Sequence, residues 1–331
     1  MTILSELVTY AERCIGDVRI SEDEDYISGK KHKWACIRFL EDIKKSEASN
    51  VLSSKFPYIW DEEEAEKIVD WFALLRHSKG ELAGQPIILT PWQKFVLCQI
   101  YGWRYEETGK KRFKRSFIEV GRKNAKSQME AGVALYEIST QATRNQESYE
   151  YYTAGVKRDQ SKIIPNEARL MLRGSPLRNK FKITKDLIEH IKTDSFIKAL
   201  CKEDGKNGDG TNPAGLIIDE YHEHKTTEFY DLGLGSNTKE PLLMIITTAG
   251  MEDYEDIENI GNERLWWKAN PIRMSYEDGR DKIRGAYQIA KEIPEKMTAF
   301  LTKMLNIWVQ AKENGYMDMA KWKACQVDKI P

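Results

Sequence analysis

The stretch RSFIEVGRKNAKSQMEAGVALYEI, residues 115–138, sets out an apolar strand, a polar turn and a segment with helical spacing in succession. Lys126 and Ser127 stand at the turn-to-helix junction, where a phosphate-binding loop of pattern G-x-x-x-x-G-K-S/T places its lysine and hydroxyl. The glycines do not match. Val120 and Ala125 occupy their positions, and Gly121 comes one place late. On these residues alone two readings stay open: a nucleotide loop of altered build, or a chance Lys-Ser at a helix start. On the first, Gly121, Arg122, Lys123, Asn124, Ala125, Lys126 and Ser127 wrap the phosphates at the amino end of the helix, Lys126 reaches the terminal phosphates and Ser127 holds Mg²⁺. Ala125 is the smallest replacement for the second glycine and is expected to sit at negative φ.

Working outward, AGLIIDEYHEH (214–224) supplies an apolar strand ending in two carboxylates. Asp219 suits the orientation of a magnesium ion through its waters, and Glu220 suits the polarising of an attacking water. A solvated acidic turn is the plainer alternative. PLLMIITTAG (241–250) ends in Thr247 and Thr248, whose hydroxyls could sense a terminal phosphate or simply mark a strand-to-turn junction. In PWQKF, Gln93 carries an amide able to pair with both edges of adenine, or to lie idle on a helix surface.

RSFIEV, ESYEYYTAG, AGLIID and PLLMIITTAG alternate with helical stretches, which predicts an α/β fold with a mostly parallel, buried sheet. Residues 1–85 read as helical with no strand signal, 86–250 as the α/β core, and 251–331 as helical again. A helix is expected to start at Pro91 with Thr90 as its cap.

Basic and acidic residues nearly cancel, 51 against 52, so contact with nucleic acid must be local. The cluster KKRFKR (110–115) is the best candidate for such contact, with a solvated hairpin arm as the alternative. Five scattered cysteines without C-x-x-C or other metal-ligand spacing suit a reducing compartment and read as core filler. No apolar run approaches the ~20 residues of a membrane span, and the amino terminus lacks signal-peptide features. His222 and His224 have the spacing of a strand-borne metal pair but no evident third ligand. Trp266 and Trp267 fit core packing or a subunit interface better than base stacking.

In this order, PWQ (91–93), the 102–127 segment with its phosphate loop, TAGVKRDQ (153–160), the Asp219-Glu220 block, PLLMIITTAG and the late FLTKMLNIWVQ resemble the large terminase subunit of tailed bacteriophages. An Arg-Lys-Asn run before Gly-Lys-Ser or Gly-Lys-Thr is usual for that family, and this chain departs from it at Ala125. The resemblance implies a P-loop NTPase of the ASCE, RecA-like type with a helical amino-terminal region and a helical lid or linker. It implies ATP and Mg²⁺ as ligands, Glu220 as base, Arg122 as arginine sensor or finger, Gln93 as adenine reader and Thr247 and Thr248 as coupling residues. Arg158 is a guess for a finger given to a neighbouring subunit. The implied partners are double-stranded DNA, a portal protein, a small terminase subunit and further copies of the chain in a ring, in the host cytoplasm. The family's nuclease domain is expected to be absent, since Asp318 and Asp328 stand isolated. Two other functions remain in view: a superfamily 2 helicase, because Asp219-Glu220-Tyr221-His222 reads as a DExH box, and a docking module with a weakened site.

Overall fold

The computed structural model describes residues 2–49, 56–201, 211–248 and 259–307. Most of the glycine-rich loop at 202–213, the last two residues of TTAG, the tail from 308 onward, Asp318 and Asp328 lie outside the described residues. The amino-terminal third forms α1 (Ile3–Ile15), α2 (Lys30–Ser49), α3 (Glu62–Leu74) and α4 (Pro91–Gly102), as its periodicity predicts. Thr2, Asp61 and Thr90 cap α1, α3 and α4 through side-chain oxygens, and three acids occupy the first turn of α3, where the helix dipole favours them.

One expectation fails in this region. A strand β1 (Tyr58–Trp60) pairs antiparallel with β2 (Trp103–Tyr105), directly after α4. Three-residue strands are too short to show alternation, and this pair is held by its rings: Tyr58 against Tyr105 at 4.8 Å and Trp60 against Trp103 at 5.6 Å.

The main sheet contains β3 (Arg115–Glu119), β4 (Glu150–Gly155), β5 (Phe181–Ile183), β6 (Leu187–His190), β7 (Ser195–Cys201), β8 (Pro213–Asp219) and β9 (Leu242–Thr247). Their order is β3-β9-β8-β4-β7-β6-β5, parallel from β3 to β7 and antiparallel beyond. The four strands read from the sequence are β3, β4, β8 and β9. β9 lies between the phosphate-loop strand β3 and the acid-bearing strand β8, as expected of the ASCE fold that the resemblance implies. The antiparallel extension was not anticipated, although Ile188 and His190 are buried while Leu187 and Glu189 are half-buried, the alternation of a strand with one covered face.

Helix α5 (Lys126–Tyr136) follows the turn after β3 and runs through a π turn at Glu137–Gln141 into α6 (Ala142–Asn145). Then come α7 (Arg158–Ser161), α8 (Ile163–Leu172), α9 (Glu228–Leu234), α10 (Glu277–Glu292) and α11 (Pro294–Lys303). One continuous core runs from Leu7 on α1 to Ile246 on β9, so the amino-terminal helices share their interior with α5 and the sheet. Gly132 permits this contact, because a Cβ there would meet the Phe72 ring at 2.3 Å. A separate cluster of Trp266, Trp267, Met274, Ile283 and Phe300 holds together the segment that the sequence reading takes as a lid or linker. Both tryptophans are buried, as core packing requires.

The middle of KKRFKR turns inward, while Lys110, Lys114 and Arg115 are exposed. Lys111 is fully buried and pairs with Glu137 at 2.7 Å, and Arg112 pairs with Asp42 while its guanidinium lies 4.2 Å from the Tyr58 ring centre. Arg104, also buried, joins Glu64 and Glu240 at 2.7 and 2.8 Å. Among the described residues no helix is long and apolar enough to cross a membrane.

Candidate nucleotide site

Parallel strands present their carboxyl ends along one edge, and in α/β sheets that edge holds the ligand. Here β3, β9 and β8 end side by side, delivering Gly121 to Ser127, Thr247 and Thr248, and Asp219 and Glu220 to one place. Arg122, Lys126, Ser127, Gly155, Asp219 and Glu220 line a single cavity.

The turn is unusual in its backbone. Lys123 and Ala125 have φ of 68° and 51°, in the left-handed region that disfavours residues with a Cβ. The expectation that Ala125 avoids positive φ is therefore wrong. The alanine takes a left-handed conformation that glycine adopts without strain, at the end of the turn where α5 begins.

Gly121 serves a different purpose. A Cβ there would lie 2.7 Å from Asn270 Oδ1, 2.8 Å from the Met304 carbonyl and 2.9 Å from that of Ala269, so the missing side chain admits the lid. The backbone N–H groups of Gly121 and Arg122 donate to the carbonyls of Ala269 and Lys303. Asn124 is fully buried: its Nδ2 donates to Gly121 O and Asn270 Oδ1, both at 3.0 Å. Its Oδ1 accepts from the N–H groups of Ile272 and Arg273. The Asn124 side chain thus belongs to the lid contact, and only its backbone is left to a phosphate.

Across the cavity, Lys126 Nζ stands 3.5 Å from Glu220 Oε1, and the Thr248 hydroxyl donates to Glu220 Oε2 at 2.6 Å. Burial alone would raise the Glu220 carboxyl; the charge of Lys126, the Thr248 bond and His222 outweigh it and hold the group below its usual range. Asp219 goes the other way, pushed up to about 6 by burial and then by the neighbouring Glu220 charge. Glu220 itself sits at φ 48°. His222 Nδ1 is 2.8 Å from Thr247 Oγ1, and Val120 N–H donates to Thr247 O, so Thr247 touches both flanking strands. His222 is engaged with that threonine, and His224 stacks on Tyr221.

Gln93 lies elsewhere. Its Oε1 accepts from Thr90 N and Thr90 Oγ1 in a capping box at the start of α4. Its neighbours Thr90, Pro91 and Trp92 line a second cavity with Glu119, Val120 and Trp267, on the other side of the loop's first residues. Arg158 lines a further cavity with Lys162, Arg169, Lys185 and Lys198.

The sequence reading missed Glu130. One turn along α5 from Lys126, it is fully buried, and neither carboxyl oxygen has a hydrogen-bond partner among the described residues. Burial, then the Asp219 charge, raises it well above the ordinary carboxyl range. A glutamate inside an otherwise apolar helix face, MEAGVALY, was the available signal.

Hard oxygen donors suit magnesium. Ser127 and the Asp219-Glu220 pair supply them, in the cavity that Lys126 and Arg122 also line. The residues present fit the ion that the resemblance implies.

Comparison with known proteins agrees with this geometry. The family model described as the ATPase domain of the terminase large subunit matches residues 91–268, more than half of the chain. The terminase large subunit of Enterobacteria phage HK97 is 24% identical over 282 residues, covering 75% of this chain and 53% of that protein. Protein YmfN of Escherichia coli (strain K12) is 29% identical over 160 residues, covering 38% of this chain and 34% of YmfN. The chain therefore spans only a third to a half of the length of these curated relatives. The crystal structure of the HK97 large terminase shares the fold with a TM-score of 0.60 at 20% identity, over 79% of this chain and 58% of that one. The chain belongs to the family of terminase large subunit ATPase domains.

Proposed function

We propose that the chain is an ATP-hydrolysing motor module that moves double-stranded DNA into a viral procapsid. The observation that carries this reading is the held Glu220: an ionised carboxylate fixed between Lys126 and Thr248 in the cavity that also receives Ser127 and Asp219. Lys126 and the amino end of α5 bind the terminal phosphates, and Glu220 accepts the proton of the attacking water. Ser127 and Asp219 would hold Mg²⁺, which when bound neutralises charge between the β- and γ-phosphates. Arg122 lines the same cavity and is placed to stabilise charge on the transferring group.

Thr248 links the base to the end of β9, and Thr247 links that end to the phosphate-loop strand, which supports a coupling role for both. With its oxygen held by Thr90, Gln93 is left to read adenine through its Nε2 donor alone. In this reading a ring of copies docks on a portal protein in the host cytoplasm, with a small terminase subunit delivering the DNA. ATP hydrolysis is assigned to this chain.

The test is MgATP hydrolysis across a protein concentration series with Glu220→Gln as control. We expect turnover that falls at least ~10²-fold in the variant while ATP binding persists. A rate rising faster than linearly with concentration supports a site shared between copies. No Glu220-dependent turnover at any concentration, with or without DNA, would overturn the reading in favour of a docking module.

A further inference from the structure

Away from the nucleotide site, three side chains of metal-ligand type meet between the first two helices. Cys14 lies on α1, and His32 and Cys36 lie on α2, with their donor atoms all within 4.8 Å of one another. Among the described residues this is the only such trio. Cys14 and Cys36 are 1% and 0% exposed. His32 and Cys36 are one turn apart and share a face of α2, and the packing of α1 on α2 brings Cys14 to that face. The sequence reading found no ligand spacing because the donors come from two packed helices, with no C-x-x-C turn to announce them.

We propose that Cys14, His32 and Cys36 bind a Zn²⁺ ion that fastens α1 to α2. Two thiolates and an imidazole form a borderline-soft donor set that selects zinc over magnesium or calcium. Zn–S and Zn–N bonds of about 2.3 and 2.0 Å put tetrahedral donors about 3.5–3.8 Å apart, so closing the site from separations within 4.8 Å asks a contraction of about 1.3 Å at most. The Tyr10 hydroxyl lies 2.9 Å from His32 Nε2 and orients the ring, as outer partners of metal-bound histidines do. Cys14 and His32 also line the wall of the cavity that reaches Val120 and Trp267. The fourth coordination position opens there and takes a water. Binding releases the protons of both thiols to solvent, with no change of oxidation state.

The full chain, purified under reductant and without chelator, is titrated with Co²⁺ and then with Zn²⁺. The expected result is one equivalent of Co²⁺ with a thiolate-to-cobalt charge-transfer band and the intense visible bands of a tetrahedral site, all displaced by Zn²⁺. Zinc raises the thermal midpoint, and a chelator reverses the rise. Cys14→Ser and Cys36→Ser lose the band, whereas Cys98→Ser, which removes a buried thiol on α4, keeps it. The wild-type spectrum decides even where a variant fails to fold. Absence of the charge-transfer band at excess Co²⁺ overturns the proposal, as does a Cys14–Cys36 disulfide that persists under reductant. ATP turnover does not enter the readout, so this outcome is independent of the motor reading.

Discussion

Replacing Asn124 by alanine separates its two conceivable jobs, holding the lid and touching the nucleotide. The buried carboxamide donates to Gly121 O, Arg122 O and Asn270 Oδ1 and accepts from the N–H groups of Ile272 and Arg273. Its removal strands two backbone donors and the acceptors Gly121 O and Asn270 Oδ1, each worth about 1–3 kcal/mol. These losses overlap, because the two donors share one oxygen, so the expected sum is about 3–5 kcal/mol out of a typical total of about 5–15. Urea unfolding followed by tryptophan fluorescence suits the measurement, since Trp266 and Trp267 report on the lid itself. A double-mutant cycle with Asn270→Ala should return a coupling of about 0.5–3 kcal/mol. A loss below about 1 kcal/mol with additive mutations would refute the reasoning, because no rearrangement of the bare backbone could then be costing anything.

Three further outcomes are expected. Ala125→Gly should stabilise the protein by about 1 kcal/mol, since the left-handed conformation costs alanine about 1–2 kcal/mol and glycine little; an unchanged or lower denaturation midpoint would count against the strained turn. Asp219 keeps its proton to about 6 in the folded chain against an ordinary 3.8, so its contribution is fully present below pH 4 and is lost as pH rises through 6. That difference is at most about 3 kcal/mol, or about 1–2 after solvent screening, so Asp219→Asn without Mg²⁺ should be stabler than wild type at pH 7 and equal to it at pH 3.5, as pH-dependent urea titrations can check. Lys111→Met should cost about 3–5 kcal/mol by stranding Glu137 in the interior; a variant of normal stability and weakened DNA binding would instead return KKRFKR to the DNA-contacting role.

The chemistry of the site was legible because each of its parts ends a strand. Lys126, Ser127, Asp219, Glu220, Thr247 and Thr248 follow apolar runs whose direction and order can be read from the chain, and β9 between β3 and β8 brings them together. What the sequence could not show is what the turn packs against. Asn124 looked like a phosphate-loop residue because its partner Asn270 lies 146 positions away. Ala125 was judged by its side chain, whereas its φ is set by the geometry of the whole turn. Lys111 and Arg112 were read as surface charge because nothing local marks Glu137 and Asp42 as their buried partners. Helix α4 came out correctly through Thr90, but the same capping box that made it predictable engages the Gln93 oxygen.

The tip of β9 has the position of a keystone. On one side it accepts from Val120 N–H through Thr247 O, and on the other it reaches Glu220 through Thr248 and His222 through Thr247 Oγ1. The two walls of the cleft cannot part without shearing one of these seams. The Val120 seam is a backbone bond, whereas the Glu220 seam ends on a charged side chain, so only the second answers directly to a change of charge in the cavity. On the proposed motor reading, the cleft would yield on that side first.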